Sequence, residues 1–318
     1  MTILVTGSAG FIGFHVAKRL LELGANVIGA DNFNDYYDPS LKEARNAILE
    51  GFSNFKLYRG DLSEEGFVGQ IFRDNKLDKI CHLAAQAGVR YSLENPGVYL
   101  KSNIIAFVNI LEAARHNNIN DLVYASSSSV YGDNKKVPFS VADATNKPIS
   151  LYAATKKADE LMAYTYHHLF GLNTTGLRFF TVIGPYGRPD MAPMLFAKAI
   201  FKGEAIKVFN FGKMKRDFTY IDDIVAGVIL ALEKTKDYQI FNLGNNKPLE
   251  LEYFISCLEK EMGKTALKDY QEMQPGDVLE TYADIEETKE KLGWEPKTSI
   301  EEAVKAFVGW YRGYYGEY

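Results

Sequence analysis

The feature that most constrains this chain is the order of its apolar patterns. From the first residue, short apolar runs alternate with longer stretches whose apolar residues recur at helical spacing. Ile3-Leu4-Val5, Asn26-Val27-Ile28-Gly29-Ala30, Phe55-Lys56-Leu57-Tyr58, Asp78-Lys79-Ile80-Cys81-His82 and Asp121-Leu122-Val123-Tyr124-Ala125 read as five strands. Helical patterns lie between them, such as Val98, Ile105, Val108, Leu111 and Ala114 ahead of the fifth strand. Strict alternation predicts an α/β fold: a doubly wound parallel sheet with helices on both faces. Such sheets bind ligands at the carboxyl ends of their strands, so that edge is where chemistry is to be sought.

The alternation weakens after Thr181, where Gly184-Pro185-Tyr186-Gly187-Arg188-Pro189 forms a turn-rich loop. A helix near 194–201, a strand near 206–209 and a helix near 222–233 follow, the last expected to return to the main layer. A smaller mixed portion starts at about Pro248. We therefore expect two lobes with a substrate cleft between them, residues 1–180 with about 217–245 in one, about 181–216 with 246–318 in the other. Tyr311, Tyr314, Tyr315 and Tyr318 fall at i, i+3, i+4 and i+7 and read as a packed helix face rather than a sugar-stacking stripe. Trp294 reads as a core anchor.

Composition enters as exclusion. With 47% hydrophobic and 24% charged residues the chain is an ordinary globular protein. No apolar run approaches the ~20 residues that span a bilayer, and no basic region precedes the first apolar stretch, so neither a membrane span nor a signal peptide is expected. Cys81 and Cys257 are the only cysteines and lack metal-ligand spacing, which predicts a cytoplasmic setting and no metal site. A formal net charge of −5 gives no reason to expect nucleic acid as a partner. It also means that an anionic substrate must be held by locally placed cations.

Directly after the first strand comes Gly7-Ser8-Ala9-Gly10-Phe11-Ile12-Gly13, which runs into a helix containing Val16, Leu20 and Leu23. Glycines here permit a tight turn, close approach of a pyrophosphate to the backbone and close helix–strand packing, while the helix N-terminus supplies free N–H groups. The spacing is GxxGxxG rather than GxGxxG. The second strand ends in Asp31-Asn32, 18 residues after Gly13. An acidic side chain at that distance accepts from adenosine ribose hydroxyls and repels a 2′-phosphate, so NAD is favoured over NADP. Lys42 and Arg45 read as exposed helix charges. Asp61-Leu62, after the third strand, reads either as an adenine flank or as a helix cap before Glu64 and Glu65.

The fifth strand ends in Ser126-Ser127-Ser128-Ser129, and Tyr152-Ala153-Ala154-Thr155-Lys156 follows inside a helical pattern. Tyr and Lys at i and i+4 share a helix face, so the ammonium can lie near the phenol. A free phenol has a pKa of about 10; a neighbouring cation, joined by a positive nicotinamide ring, favours the phenolate. Tyr152 then serves as acid/base, Lys156 tunes it, and a serine hydroxyl shares the proton or polarises the substrate oxygen.

Taken together, residues 6–13, His82-Leu83-Ala84-Ala85, residues 126–132 and 152–156, Arg178-Phe179-Phe180 and Arg216-Asp217-Phe218 resemble the extended short-chain dehydrogenase/reductases that act on nucleotide sugars. The resemblance covers nearly the whole chain. It implies a Rossmann-type NAD-binding domain with a smaller mixed α/β C-terminal substrate lobe, and a homodimer through helices near 97–117 and 150–170. It also implies Ser127, Tyr152 and Lys156 as the catalytic triad. By the same resemblance Phe11, Ile12, Asp31, Asn32, Asp61, Leu62, Ala84 and Asn103 contact NAD, with Ala85 beside them. Arg216 falls on the arginine that grips the nucleotide diphosphate and Phe209 near the uracil pocket.

Within that superfamily, hydride leaves sugar C4 for NAD while the tyrosine takes the hydroxyl proton, giving a 4-keto sugar. Relatives that then eliminate water carry an Asp-Glu pair just after the catalytic hydroxyl, and decarboxylases acting on UDP-glucuronate carry a Glu two residues after it. Ser128 and Ser129 stand at those places here, which leaves epimerisation. Residues 31–38, 86–92 with Gln86 and Arg90, 178–191, and 274–278 with Asp277 resemble UDP-glucuronate 4-epimerases. Thr181 stands where many UDP-glucose 4-epimerases have Asn, whereas Ile183 departs from the aromatic commoner in the glucuronate group.

A 4-keto glucuronate is a β-keto acid that loses carbon dioxide once its carboxylate aligns with the carbonyl π-system. Hydroxyls hold a carboxylate in either ring pose without pinning it as a bidentate Arg would. That nominates Ser129 and Thr181 as donors, with Arg188 a nearby cation for carboxylate or phosphates. Arg188 and Arg90 also read as solvent-facing loop residues. The expected function is NAD-dependent C4 epimerisation of UDP-glucuronate to UDP-galacturonate. The alternatives are a UDP-glucose or UDP-N-acetylglucosamine 4-epimerase and, from another class, a non-catalytic NAD-sensing protein.

Overall fold

A computed structural model describes residues 1–273 and 279–316, so Asp277 and Tyr318 lie outside the described residues. Its elements run β1 (Thr2–Thr6), α1 (Phe11–Glu22), β2 (Asn26–Asp31), α2 (Ser40–Glu50), β3 (Phe55–Arg59), α3 (Glu65–Asp74) and β4 (Lys79–His82). Then follow α4 (Tyr91–Glu94), α5 (Pro96–Tyr99), a π-helical turn (Leu100–Ile105), α6 (Ala106–His116), β5 (Asp121–Ser127), α7 (Leu151–Phe170) and β6 (Asn173–Phe179). The second part holds β7 (Thr181–Ile183), α8 (Ala192–Lys202), β8 (Ala205–Phe209), β9 (Lys215–Tyr220), α9 (Ile221–Lys234) and β10 (Tyr238–Leu243). It closes with β11 (Pro248–Glu250), α10 (Leu251–Met262), β12 (Leu267–Gln271), β13 (Glu280–Thr281), α11 (Glu286–Leu292) and α12 (Ile300–Tyr315).

Seven strands form one parallel sheet in the order β10-β6-β5-β4-β1-β2-β3. The apolar runs are continuous because both faces are covered: Ile3, Leu4 and Val5 are all fully buried. Alternate residues supply opposite cores. Leu4, Ile80 and Leu122 meet Phe107, Ile110 and Leu111 on one face, and Ile3, Val5 and Val123 meet Val16, Leu20 and Val228 on the other. The strand order reverses at β1, which pairs with β2 on one side and β4 on the other. A crevice at that switch point is where such sheets hold ligands.

The helix near 222–233 does return to the main layer: α9 packs on α1, and β10 completes the sheet beside β6. A third core joins Ile183, Phe196, Val208, Phe218, Phe254 and Phe307 beneath the short strands β7, β8, β9 and β11. Residues 283–294, expected with that smaller core, instead place Ala283, Ile285, Leu292 and Trp294 in the core of α1 and α9. Trp294 is anchored there by donating to the Asp223 carbonyl at 2.8 Å. Along α12, Tyr311 is buried, while Tyr314 stacks on Trp310 and Trp310 meets Tyr186 of the 184–189 loop. The tyrosine stripe is thus a packed face, though Tyr315 remains 43% exposed.

Among the described residues, no helix is long and apolar enough to cross a membrane, and no cluster of His, Cys, Asp and Glu suits a metal ion.

Candidate active site

The glycine turn is dictated by backbone contact. Gly7 has φ +69°, and a Cβ there would lie 2.8 Å from the Ala84 nitrogen; a Cβ on Gly13 would lie 2.0 Å from the Gly7 carbonyl. Only glycine fits either place. The turn delivers the first amides of α1, which have no acceptor within the helix, to a cavity of about 1070 Å³. Gly7, Gly10, Phe11, Ile12, Gly13, Asp31, Asn32, Asp61, Leu62, Ala84 and Ala85 all line it.

Asp31, at the end of β2, accepts from the Ala9 and Phe33 amides at 3.1 and 2.9 Å, one on each oxygen, with lone pairs to spare. Lys42 and Arg45 are buried rather than exposed. Lys42 donates to the carbonyl and side chain of Asn34, both at 2.7 Å, and burial lowers its pKa. Arg45 donates to Ala9, Tyr37 and the Tyr186 carbonyl. It ties the glycine turn to the 184–189 loop, a clamp that helix spacing alone does not reveal.

Asp61 lines the cavity and also closes a turn: it accepts from the Ser63 amide at 2.9 Å and pairs with Lys101 at 2.9 Å, while Glu64 takes the N-cap of α3. Asn103 does not line the cavity. The π-helical turn drops it behind the lining, where it is 1% exposed and is bonded to the backbone of Gln86 and to Thr155.

At the centre of the cleft, Ser127 ends β5 and its hydroxyl accepts from the Ser129 amide at 3.1 Å. Ser126, facing the other way, donates to the buried Glu160. Ser150 caps α7 by accepting from the Ala153 amide, so Tyr152 falls in the first turn and Lys156 one turn on. The Tyr152 ring packs edge-on against Tyr99, with centroids 6.1 Å apart. Ser127, Ser128, Ser129, Tyr152 and Lys156 share the cavity wall. The Lys156 ammonium donates to the Ala125 carbonyl at 3.0 Å and to Asp159 at 3.1 Å; the Tyr152 phenol is not among its partners. Beneath it, burial pushes His82 down to about 3, with Lys156 adding to the shift.

The far wall comes from the second part of the chain and carries Thr181, Arg188, Phe209 and Arg216, facing Gln86 and Arg90 from the Rossmann side. Arg90 lies over the Phe209 ring, 5.0 Å from its centroid, and so bridges the cleft. Arg216 donates to the Lys215 carbonyl at 2.9 Å. Arg188 is not a lone cation: it donates through Nε and Nη2 to Asp190, which also accepts from the Tyr36 phenol at 3.0 Å. Burial works against the Arg188 charge, but Asp190 outweighs it and raises its pKa; burial and the same carboxylate push Tyr36 up to about 12. Tyr36 and Asp190 lay inside the motif runs at 31–38 and 178–191, yet nothing in their spacing pairs residues 154 positions apart.

A family profile described as GDP-mannose 4,6 dehydratase matches residues 4–307. The chain belongs to that family. Its likeness to nucleotide-sugar 4-epimerases runs end to end. UDP-glucuronate 4-epimerase 4 of Arabidopsis thaliana is 48% identical over 333 residues, covering 99% of this chain and 76% of that protein. The UDP-glucuronic acid 4-epimerase of Bacillus cereus, solved with UDP-glucuronic acid and NAD, is 34% identical with a TM-score of 0.91, over 99% of this chain and 100% of that one. The UDP-glucose 4-epimerase of Thermotoga maritima, solved with UDP-glucose, is 32% identical with a TM-score of 0.90, over 99% and 100%. The family and fold expected from the motifs are therefore those found.

Proposed function

We propose that this protein is an NAD-dependent UDP-glucuronate 4-epimerase. The observation that carries the reading is one cavity whose wall holds Ser127, Tyr152 and Lys156 together with the glycine turn and Asp31, and that has hydroxyls, not carboxylates, at 128 and 129. The turn and Asp31 fit a dinucleotide: unpaired helix amides face a pyrophosphate and a carboxylate with free lone pairs faces ribose hydroxyls. Relatives of the same fold are solved with NAD. Bound NAD would supply the acceptor, and then the donor, of a hydride at sugar C4.

This chain's own groups do the rest. Tyr152 takes the C4 hydroxyl proton and later gives it back, while Ser127 holds the same oxygen. Ser129 and Thr181 hold the sugar carboxylate out of alignment with the C4 carbonyl, so carbon dioxide is retained. Arg216 and Arg188 meet the diphosphate and carboxylate, and Phe209 flanks the base. The cavity lies between a Rossmann lobe and a smaller lobe, which is how we divide the chain.

Arg188 already holding Asp190 favours a second reading, a 4-epimerase of neutral UDP-hexoses, because the cation offered to a sugar carboxylate is partly compensated. Incubation of purified protein and NAD with UDP-glucuronate and, separately, UDP-glucose, with product identification by NMR, tests both. UDP-galacturonate from the first supports the proposal; turnover of UDP-glucose alone overturns it. We also propose a cytoplasmic homodimer through 97–117 and 150–170, where Leu100, Ile105, Leu161, Tyr164 and Leu169 are each about half exposed. Light scattering at a monomer mass would remove the dimer.

A further inference from the structure

Asp159 is a buried carboxylate that the chemistry above leaves unused. It lies on α7 three residues after Lys156, with its side chain 2% exposed. Its Oδ2 accepts from the Lys156 ammonium at 3.1 Å, and its equally buried Oδ1 meets no donor. The Lys156 side chain is 3% exposed, and its other hydrogen bond runs to Ala125 at the end of β5. A buried ion pair with an unfilled acceptor is costly to maintain, since a neutral acceptor would satisfy the same N–H.

We infer that Asp159 is a positioning residue for Lys156, drawing the ammonium back against Ala125 and setting how much of its charge reaches the Tyr152 phenol. This rests on the reading of Tyr152 and Lys156 as the acid/base pair. An ammonium has three N–H donors; two are taken here, which leaves one for the cavity. With Asp159 ionised, the phenol faces a cation already compensated by a carboxylate. With Asp159 protonated, it faces an uncompensated cation.

The neighbours leave Asp159 as the group that changes. Glu160 on the same helix is neutralised by Arg178 from β6. Burial holds the Tyr124 phenol from β5 and the Tyr238 phenol from β10 protonated, and keeps His82 from β4 neutral. The π-helical turn and α6 present uncharged Asn103 and Ala106 on their buried sides. Burial also pushes Asp159 up to about 6, against the pull of Lys156, which places its ionisation within the working range of an enzyme.

The test uses the full chain with NAD. Asp159→Asn keeps an acceptor of the same shape and deletes the charge. We expect the acidic limb of kcat to move to lower pH by at least about half a unit, and Asp159→Ala to move it the same way with a lower kcat. A residue of purely structural importance would lower stability or kcat and leave the limb in place; an unmoved limb in Asp159→Asn overturns the inference. A second readout needs neither Asp159 variant nor substrate. With ¹⁵N-labelled lysine, the wild-type protein should show, besides that of buried Lys42, a slowly exchanging ammonium signal that is missing in Lys156→Arg and that inflects near pH 6 in the wild type. A flat titration overturns the inference even if neither variant folds. If the wild type turns over no UDP-sugar, the functional reading fails, while the NMR titration still decides how Asp159 and Lys156 are coupled.

Discussion

Replacing Glu160 by Gln should unsettle the floor of the serine strand while barely changing its shape. Glu160 is fully buried. Its Oε1 accepts from Arg178 Nε at 2.8 Å and from Ser126 at 2.8 Å, and its Oε2 accepts from Arg178 Nη2 at 2.9 Å and Lys157 at 3.0 Å. Arg178, itself 3% exposed, spends a further donor on the Tyr131 hydroxyl, which in turn donates to Asn242 at 2.7 Å. A Gln amide turns an NH₂ toward one guanidinium nitrogen and leaves that cation buried without compensation. Breaking such a pair from one side costs about 3–5 kcal/mol, against a total stability of about 5–15 kcal/mol. Urea unfolding followed by circular dichroism should show the midpoint falling by about 1 M or more. The double variant Glu160→Gln/Arg178→Met should recover most of the loss, because it removes the orphaned charge as well. The pH dependence has a definite sign. Burial raises the Glu160 pKa but Arg178 overrides it, so the folded value lies below the ordinary one. Its contribution is therefore present above the unfolded pKa and lost as pH falls through the folded one. A loss of under about 1 kcal/mol in Glu160→Gln, or no recovery in the double variant, would refute the reasoning.

Three other outcomes are expected. Tyr152→Phe should lower turnover by at least about 10²-fold with an unchanged circular dichroism spectrum, and full activity would sink the acid/base assignment. Ser129→Glu should divert product towards a decarboxylated UDP-pentose, measured by NMR of the product mixture; an unchanged ratio argues against the role given to Ser129. His82 is held neutral with a folded pKa of about 3. The stability it contributes is present above about 6.5 and falls by about 1.4 kcal/mol per unit below that, so about 2 kcal/mol is gone by pH 5. Denaturation at pH 7 and 5 should show His82→Gln losing less on acidification than the wild type; equal losses would place the titration elsewhere.

The parts of the fold legible in the sequence are those governed by local periodicity. Ile3-Leu4-Val5 announces a strand covered on both faces, and Gly7 and Gly13 announce a turn that no side chain fits. The limits are equally physical. In the stretch before β5, Val98 and Ile105 read with Leu111 as one helix face, but the π-helical turn at Leu100–Ile105 inserts an extra residue into the turn, buries Tyr99 and Asn103, and leaves Ile105 48% exposed. One residue of slip is invisible to a 3.6-residue template. Lys42 and Arg45 failed for a different reason. Nothing near them in sequence marks the carbonyls of Asn34, Ala9 and Tyr186 that bury them.

The cations of the cleft carry this further. Residue type and spacing nominate Lys156 and Arg188, and both line the cavity, yet each already holds a carboxylate, Asp159 or Asp190. The charge of these two is therefore stored as ion pairs rather than presented outright. On the proposed function, a diphosphate or sugar carboxylate competes with Asp190 for Arg188, and the displaced carboxylate keeps only the Tyr36 phenol as a donor. On that reading, selectivity between acidic and neutral sugars turns on whether a substrate carboxylate replaces Asp190 at that guanidinium, an exchange that depends on side-chain pairing across 154 residues and not on the count of basic residues.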